Sequence, residues 1–114
     1  MMPTQRTVTG TSGVSSPIFP DQFQNPFSVS IGCVLGAAGG TYSVQHTFDY
    51  STVMLPTWDG STGVTWFNNS GITAATTSIS SNYAFPVAAV RLSVLDGVAT
   101  TSVTMFYAQA TNAP

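Results

Sequence analysis

The stretch TYSVQHTFDY, residues 41–50, decides the fold class. Successive side chains of an extended strand point to opposite faces, so Tyr42, Val44, His46, Phe48 and Tyr50 fall on one side and Ser43, Gln45, Thr47 and Asp49 on the other. One face is aromatic and the other carries hydroxyls and amides, the pattern of a strand with a packed side and a wet side. Residues 28–35 repeat it, with Val29, Ile31 and Cys33 set against Ser28, Ser30 and Gly32. Near the C-terminus Val90, Leu92 and Val94 alternate with Arg91 and Ser93, and Val103, Met105 and Tyr107 alternate with Thr104, Phe106 and Ala108. No sustained stretch places apolar residues at i, i+3, i+4 and i+7, as an amphipathic helix requires.

Working outward, GAAGG at 36–40 reads as the loop of a hairpin joining the first two strands. Asp96-Gly97 and the small residues to Thr101 read as the loop of a second hairpin. Weaker strands are expected at 4–9, 14–19, 64–67, 72–79 and 83–87. Pro17, Pro20, Pro26, Pro56 and Pro86 restrict their neighbours to edges, strand starts or loops, since proline offers no ladder donor. Short strands separated by Gly, Pro and Asn turns predict an all-β chain: an antiparallel two-sheet β-sandwich, jelly-roll-like, with an extended N-terminal arm. Residues 1–26, rich in Pro, Ser, Thr, Gly and Gln, read as that arm or as edge strands, and 27–114 as the sandwich. A chain of 114 residues is the size of one domain with one core.

The charged side chains are Arg6, Arg91, Asp21, Asp49, Asp59 and Asp96, only 5% of the residues, against about 25% in ordinary soluble domains. Polarity comes instead from Ser, Thr, Asn and Gln, which cost less to dehydrate against a partner than a charge does. Such a surface suits a permanently assembled protein; the alternative is a β-domain kept soluble by hydroxyls alone. A net charge of −2 with two isolated arginines excludes the multi-phosphate footprint of a nucleic-acid binder. The opening MMPTQRTVTG lacks the apolar run of a secretory signal, and no stretch reaches the roughly 18 to 20 apolar residues that span a bilayer. The expectation is a protein made and kept in a cytoplasm, with no membrane partner.

Catalysis and metal binding are tested by inventory. General acid–base and nucleophilic mechanisms set one titratable group beside another, and the chain holds one His and four acids. His46 sits in the aromatic row of its strand and reads as a packed imidazole with its N–H satisfied. No G-x-S-x-G elbow is present. The aspartates fall at predicted strand ends or turns, where Asp caps its own backbone. Cys33, the single cysteine, lies in an apolar row and reads as an inert small hydrophobe. No enzyme, metal or cofactor is expected. Asn68-Asn69-Ser70 matches a glycosylation sequon, a motif without meaning in the absence of a secretory route.

The remaining candidates are aromatic or apolar points in turn-rich stretches: Ile18, Phe19 and Phe23 in the arm, then Trp58, Trp66, Phe67 and Tyr83. Trp and Tyr dominate interface energetics, so these seven are the expected protein interface, with core burial as the alternative for some. Exposed Trp and Tyr on a sandwich can also stack on sugar rings.

Taken together, SSPIFPDQFQNPFSVSIGCVL (15–35), TYSVQHTFDY (41–50), WFNNSGITAATTS (66–78), NYAFPVAAVRLSVLDG (82–97) and VTMFYAQA (103–110) resemble a family of small structural proteins encoded beside the capsid gene of tailed bacteriophages. The resemblance implies a decoration, or cement, protein on the capsid exterior. Its partners would be the major capsid protein and further copies of itself, as a homodimer or homotrimer. A tail or fibre component would share the composition, and immunogold labelling of virions separates the two. A carbohydrate-binding β-sandwich module on the virion would require an exposed Trp, and loss of glycan-array binding in Trp66→Ala is the observation that discriminates it. The resemblance carries no defined functional residues. With so few ions, attachment is expected to survive high salt.

Overall fold

The structure, a computed structural model, describes residues 4–10, 12–20, 28–36, 39–60, 62–96 and 101–109. Among them the alternating segments form eight strands: β1 (Thr4–Gly10), β2 (Gly13–Val14), β3 (Val29–Leu35), β4 (Thr41–Thr47), β5 (Phe67–Asn68), β6 (Ile79–Tyr83), β7 (Ala89–Asp96) and β8 (Val103–Gln109). One helical turn, α1 (Tyr50–Val53), follows β4. The sheets run β1-β8-β3-β6 and β2-β7-β4-β5, with every neighbouring pair antiparallel. Four of the pairings, β1 with β8, β2 with β7, β3 with β6 and β4 with β5, are successive rungs of one long ribbon bent between β4 and β5. Pairing of β3 with β8 and of β4 with β7 rolls that ribbon into two sheets. This is the jelly-roll order of an antiparallel sandwich.

The two expected hairpins are not formed. β3 and β4 lie in opposite sheets, as do β7 and β8. The physical reason is burial. Each of these strands carries one apolar face, and placing consecutive strands in facing sheets sets those faces against each other across a sandwich about 10 Å thick. A loop with several small residues is long enough to cross that gap. Alternation therefore marks the inward side of a strand without marking its neighbour.

The core lies between the sheets. Val29, Ile31 and Cys33 of β3 and Val103, Met105 and Tyr107 of β8 face Tyr42 and Val44 of β4 and Val90, Leu92 and Val94 of β7, with Ile18, Ile72, Tyr83 and Val87 filling the ends. Full burial of such a side chain is worth about 1.5–3 kcal/mol relative to exposure. β3 and β8 keep strict alternation, and Phe106 faces outward as expected. β4 does not, for Ser43 and Thr47 on its wet side are buried. The segment after β5 explains Ser43. It runs along the β4 edge, where Ala75 and Tyr42 exchange backbone hydrogen bonds, Val44 N donates to Ile72 O and Asn69 N to Val44 O. Ala74, in the left-handed region at φ 49°, turns its own N–H onto Ser43 Oγ at 2.8 Å.

Several expected boundaries shift. The strand expected over 14–19 is ordered as β2 followed by a single bridge, Ile18 to Val90. The strand expected over 72–79 is irregular until Ile79, that expected over 64–67 is displaced to β5, and 83–87 is a turn beyond the end of β6. β4 stops at Thr47 because Asp49 caps α1, accepting from Thr52 N at 3.2 Å and from the Ser51 hydroxyl at 3.0 Å. Tyr50 therefore opens a helical turn, which alternation did not reveal. The described part of 1–20 forms edges of both sheets, β1 beside β8 and β2 beside β7.

Candidate functional site

The aromatic residues singled out above separate into two clusters on either side of β5. In the first, the 50s loop brings Trp58 against Phe19 edge to face at 6.2 Å and against Trp66 in a stacked pair at 6.4 Å. The loop is fixed by hydrogen bonds of its own. Trp58 Nε1 donates to Thr62 O at 2.7 Å, and Asp59 accepts from the Thr62 amide at 2.8 Å and from its hydroxyl. Gly60, at φ +88°, supplies the left-handed residue this turn needs. Beneath lie Val53, Ala88 and Ala89, a small second core. Arg91 lays its guanidinium over Trp66, 4.0 Å from the ring centroid, while its Nε donates to Gln45 Oε1 at 2.8 Å. Burial lowers the Arg91 pKa from its ordinary value. What this cluster presents outward is apolar: Phe19 is 54% exposed, and Met54 and Leu55, in the turn leading into Trp58, are 55% and 53% exposed.

The second cluster surrounds His46. The residue is buried, 6% exposed, and its ring packs edge to face on Phe48, Tyr83 and Phe85 and stacks on Phe67. Nδ1 lies 2.9 Å from the Tyr83 hydroxyl. Burial lowers the His46 pKa, so the imidazole is neutral at neutral pH, and burial pushes the Tyr83 phenol up to about 12, so its proton stays on. His46 also lines an open cleft.

That cleft, about 360 Å³ in volume, is lined by His46, Tyr83 and Phe85, by Asn68, Asn69 and Ser70 after β5, and by Ser81, Asn82 and Ala84. Its floor is fixed by Asn69, whose Oδ1 accepts from Gly71 N at 2.8 Å and from Ser81 Oγ at 2.9 Å. A Cβ on Gly71 would meet Ser81 Oγ at 2.7 Å, so the turn demands glycine for space. Asn68 Oδ1 accepts from Gln45 Nε2 at 3.1 Å, leaving its Nδ2 toward solvent. The side chains of Ser70 and Asn82 make no hydrogen bond among the described residues. No charged residue lines the cleft.

Of the seven interface candidates, Phe19, Trp58 and Trp66 meet in the first cluster, and Phe67 joins the second at 47% exposure. Ile18 and Tyr83 are buried in the chain's own core, because both point between the sheets. Phe23 lies outside the described residues. Trp66 is no open platform, since Arg91 covers one face of its ring and Trp58 stacks alongside. Phe48, Phe85, Asn68 and Asn82 were missed. The available signal was Phe85-Pro86 closing a strand, opposite an Asn-Asn pair that ends another.

Among the described residues no group of three or more His, Cys, Asp or Glu side chains is placed to hold a metal ion. No helix among them is long and apolar enough to cross a membrane. Compared with protein-family models, with curated proteins and with solved structures, the chain finds no match.

Proposed function

We propose that this chain is a non-enzymatic virion structural protein: a decoration protein that seats as a homodimer or homotrimer on the assembled major capsid protein shell of a tailed bacteriophage and stabilises it from outside. The apolar patch around Trp58 carries the proposal. Phe19, which packs on Trp58, and Met54 and Leu55, in the turn leading into Trp58, are each more than half exposed, and the two tryptophans are held by the Trp58–Thr62 hydrogen bond and the Arg91–Trp66 cation–π contact. A rigid aromatic base under exposed apolar side chains is the composition of an interface core, and contiguous apolar exposure of this kind marks a contact site. The outer faces supply hydroxyls and amides around it, in keeping with a chain that is 5% charged.

The mechanism is mass action. A protein that binds the assembled shell and not its free subunits stabilises the shell by an amount set by occupancy and affinity. Many modest contacts suffice when each is repeated at every equivalent joint. The test is to heat or osmotically shock particles lacking the gene alongside complete ones. Earlier rupture of the deficient particles is expected, and restored resistance on adding the purified protein; equal rupture would overturn the proposal. Leu55→Ser and Phe19→Ser should each reduce co-sedimentation with shells while leaving the far-ultraviolet circular dichroism unchanged.

A further inference from the structure

The cleft on the other side of β5 has a chemistry that shell attachment does not use. We infer that it binds a neutral pyranose unit of a saccharide, gripped by amides, hydroxyls and the His46 imidazole against the Phe85 ring. Four observations converge. The lining holds no charged side chain, so a phosphate, carboxylate or cationic ligand finds no counter-charge there. The polar groups that remain open, Asn68 Nδ2, the Asn82 amide and the Ser70 hydroxyl, both donate and accept, which matches a ring of hydroxyls that do the same. His46, itself 6% exposed, lines the same space. An imidazole has one nitrogen that donates and one that accepts when neutral, so it can bond a sugar hydroxyl in either sense. Finally Phe85, 46% exposed and 5.8 Å from His46 between ring centroids, offers an apolar wall to the C–H face of a sugar ring. The volume, about 360 Å³, lies at the small end of ligand sites.

This moves the sugar platform from Trp66, whose ring is covered, to Phe85. It is independent of the shell-binding proposal, and the two are separable by residue.

The test uses the full chain, isotope-labelled, titrated by NMR with glucose, galactose, mannose and N-acetylglucosamine and their disaccharides at millimolar concentration, with glucuronate as the charged control. At least one neutral sugar should shift the His46 ring signals and the Asn68 and Asn82 side-chain amides in a saturable way. Asn82→Ala should weaken that binding about three- to tenfold, the loss of one neutral hydrogen bond. Phe85→Leu, which keeps the apolar volume and removes the flat ring, should weaken it as well, with the backbone amide spectrum showing both variants folded. Leu55→Ser should leave sugar binding unchanged while lowering shell attachment. The inference is overturned if no neutral sugar moves these signals, if glucuronate alone does, or if folded Asn82→Ala and Phe85→Leu bind as the parent does.

Discussion

Tyr83→Phe isolates the buried hydrogen bond under the cleft, because it removes one oxygen and leaves the ring in place. The hydroxyl sits 2.9 Å from His46 Nδ1, and without it that nitrogen faces apolar rings with no hydrogen-bond partner. Leaving a buried polar atom unsatisfied costs roughly 1–3 kcal/mol. A chain of 114 residues unfolds with an entropy of about 0.24 kcal/mol/K, taking about 2.1 cal/mol/K per residue. The midpoint should therefore fall by about 4–12 °C. The double variant Tyr83→Phe with His46→Leu removes both partners and should recover part of the loss, since two apolar groups in place of a bonded pair are nearly neutral. Thermal and urea melts followed by tryptophan fluorescence read both effects. The pH dependence is a second arm. Burial lowers the folded pKa of His46 below its ordinary 6.5, so the unfolded chain binds the extra proton first. The contribution of His46 to stability is thus complete above pH 6.5 and is lost as the pH falls from there toward the folded pKa. His46→Leu should flatten that part of the profile. A Tyr83→Phe midpoint within about 2 °C of the parent would refute the assignment of a stabilising Tyr83–His46 bond.

Three further outcomes follow from local geometry. Tyr50 buries its hydroxyl without a partner among the described residues, so Tyr50→Phe should leave stability unchanged or raise it by about 1 kcal/mol, read from urea midpoints. Cys33 is buried, with its thiol pushed up to about 11, so it should resist a disulfide reagent at pH 8 in the native state and react once in denaturant. Gly71→Ala forces Ser81 Oγ from 2.7 Å and breaks the Asn69 lock. It should cost about 1–3 kcal/mol and increase amide exchange at Gly71 and Ile72.

Alternation placed Val103, Met105 and Tyr107 inside and Phe106 outside, and put Val29, Ile31 and Cys33 in the core, because the period of two is a property of each strand alone. It was silent on which strands adjoin. β3 and β4 are consecutive yet lie in opposite sheets, since neighbour choice depends on how apolar faces meet across the whole sandwich. The cleft was hidden for the same reason. His46 and Tyr83 are 37 positions apart, and Asn69 reaches Ser81 across 12. Helix α1 was missed because one turn is too short to show a period, although Asp49 ahead of Ser51 and Thr52 is the signature of its cap.

The ribbon-like pairing also sets when the chain can fold. Thr9 and Thr104, whose hydroxyl oxygens lie 3.4 Å apart, are separated by 95 positions, and among the described residues β1 pairs with β8 alone. While a ribosome is still making the chain, β1 must wait until β8 emerges, and the pairs that can close earliest lie at the bend, β4 with β5 and then β3 with β6. Topologies dominated by such distant pairings fold slowly, in milliseconds to seconds. The sheet containing β1 is therefore completed only after Gln109 has been added.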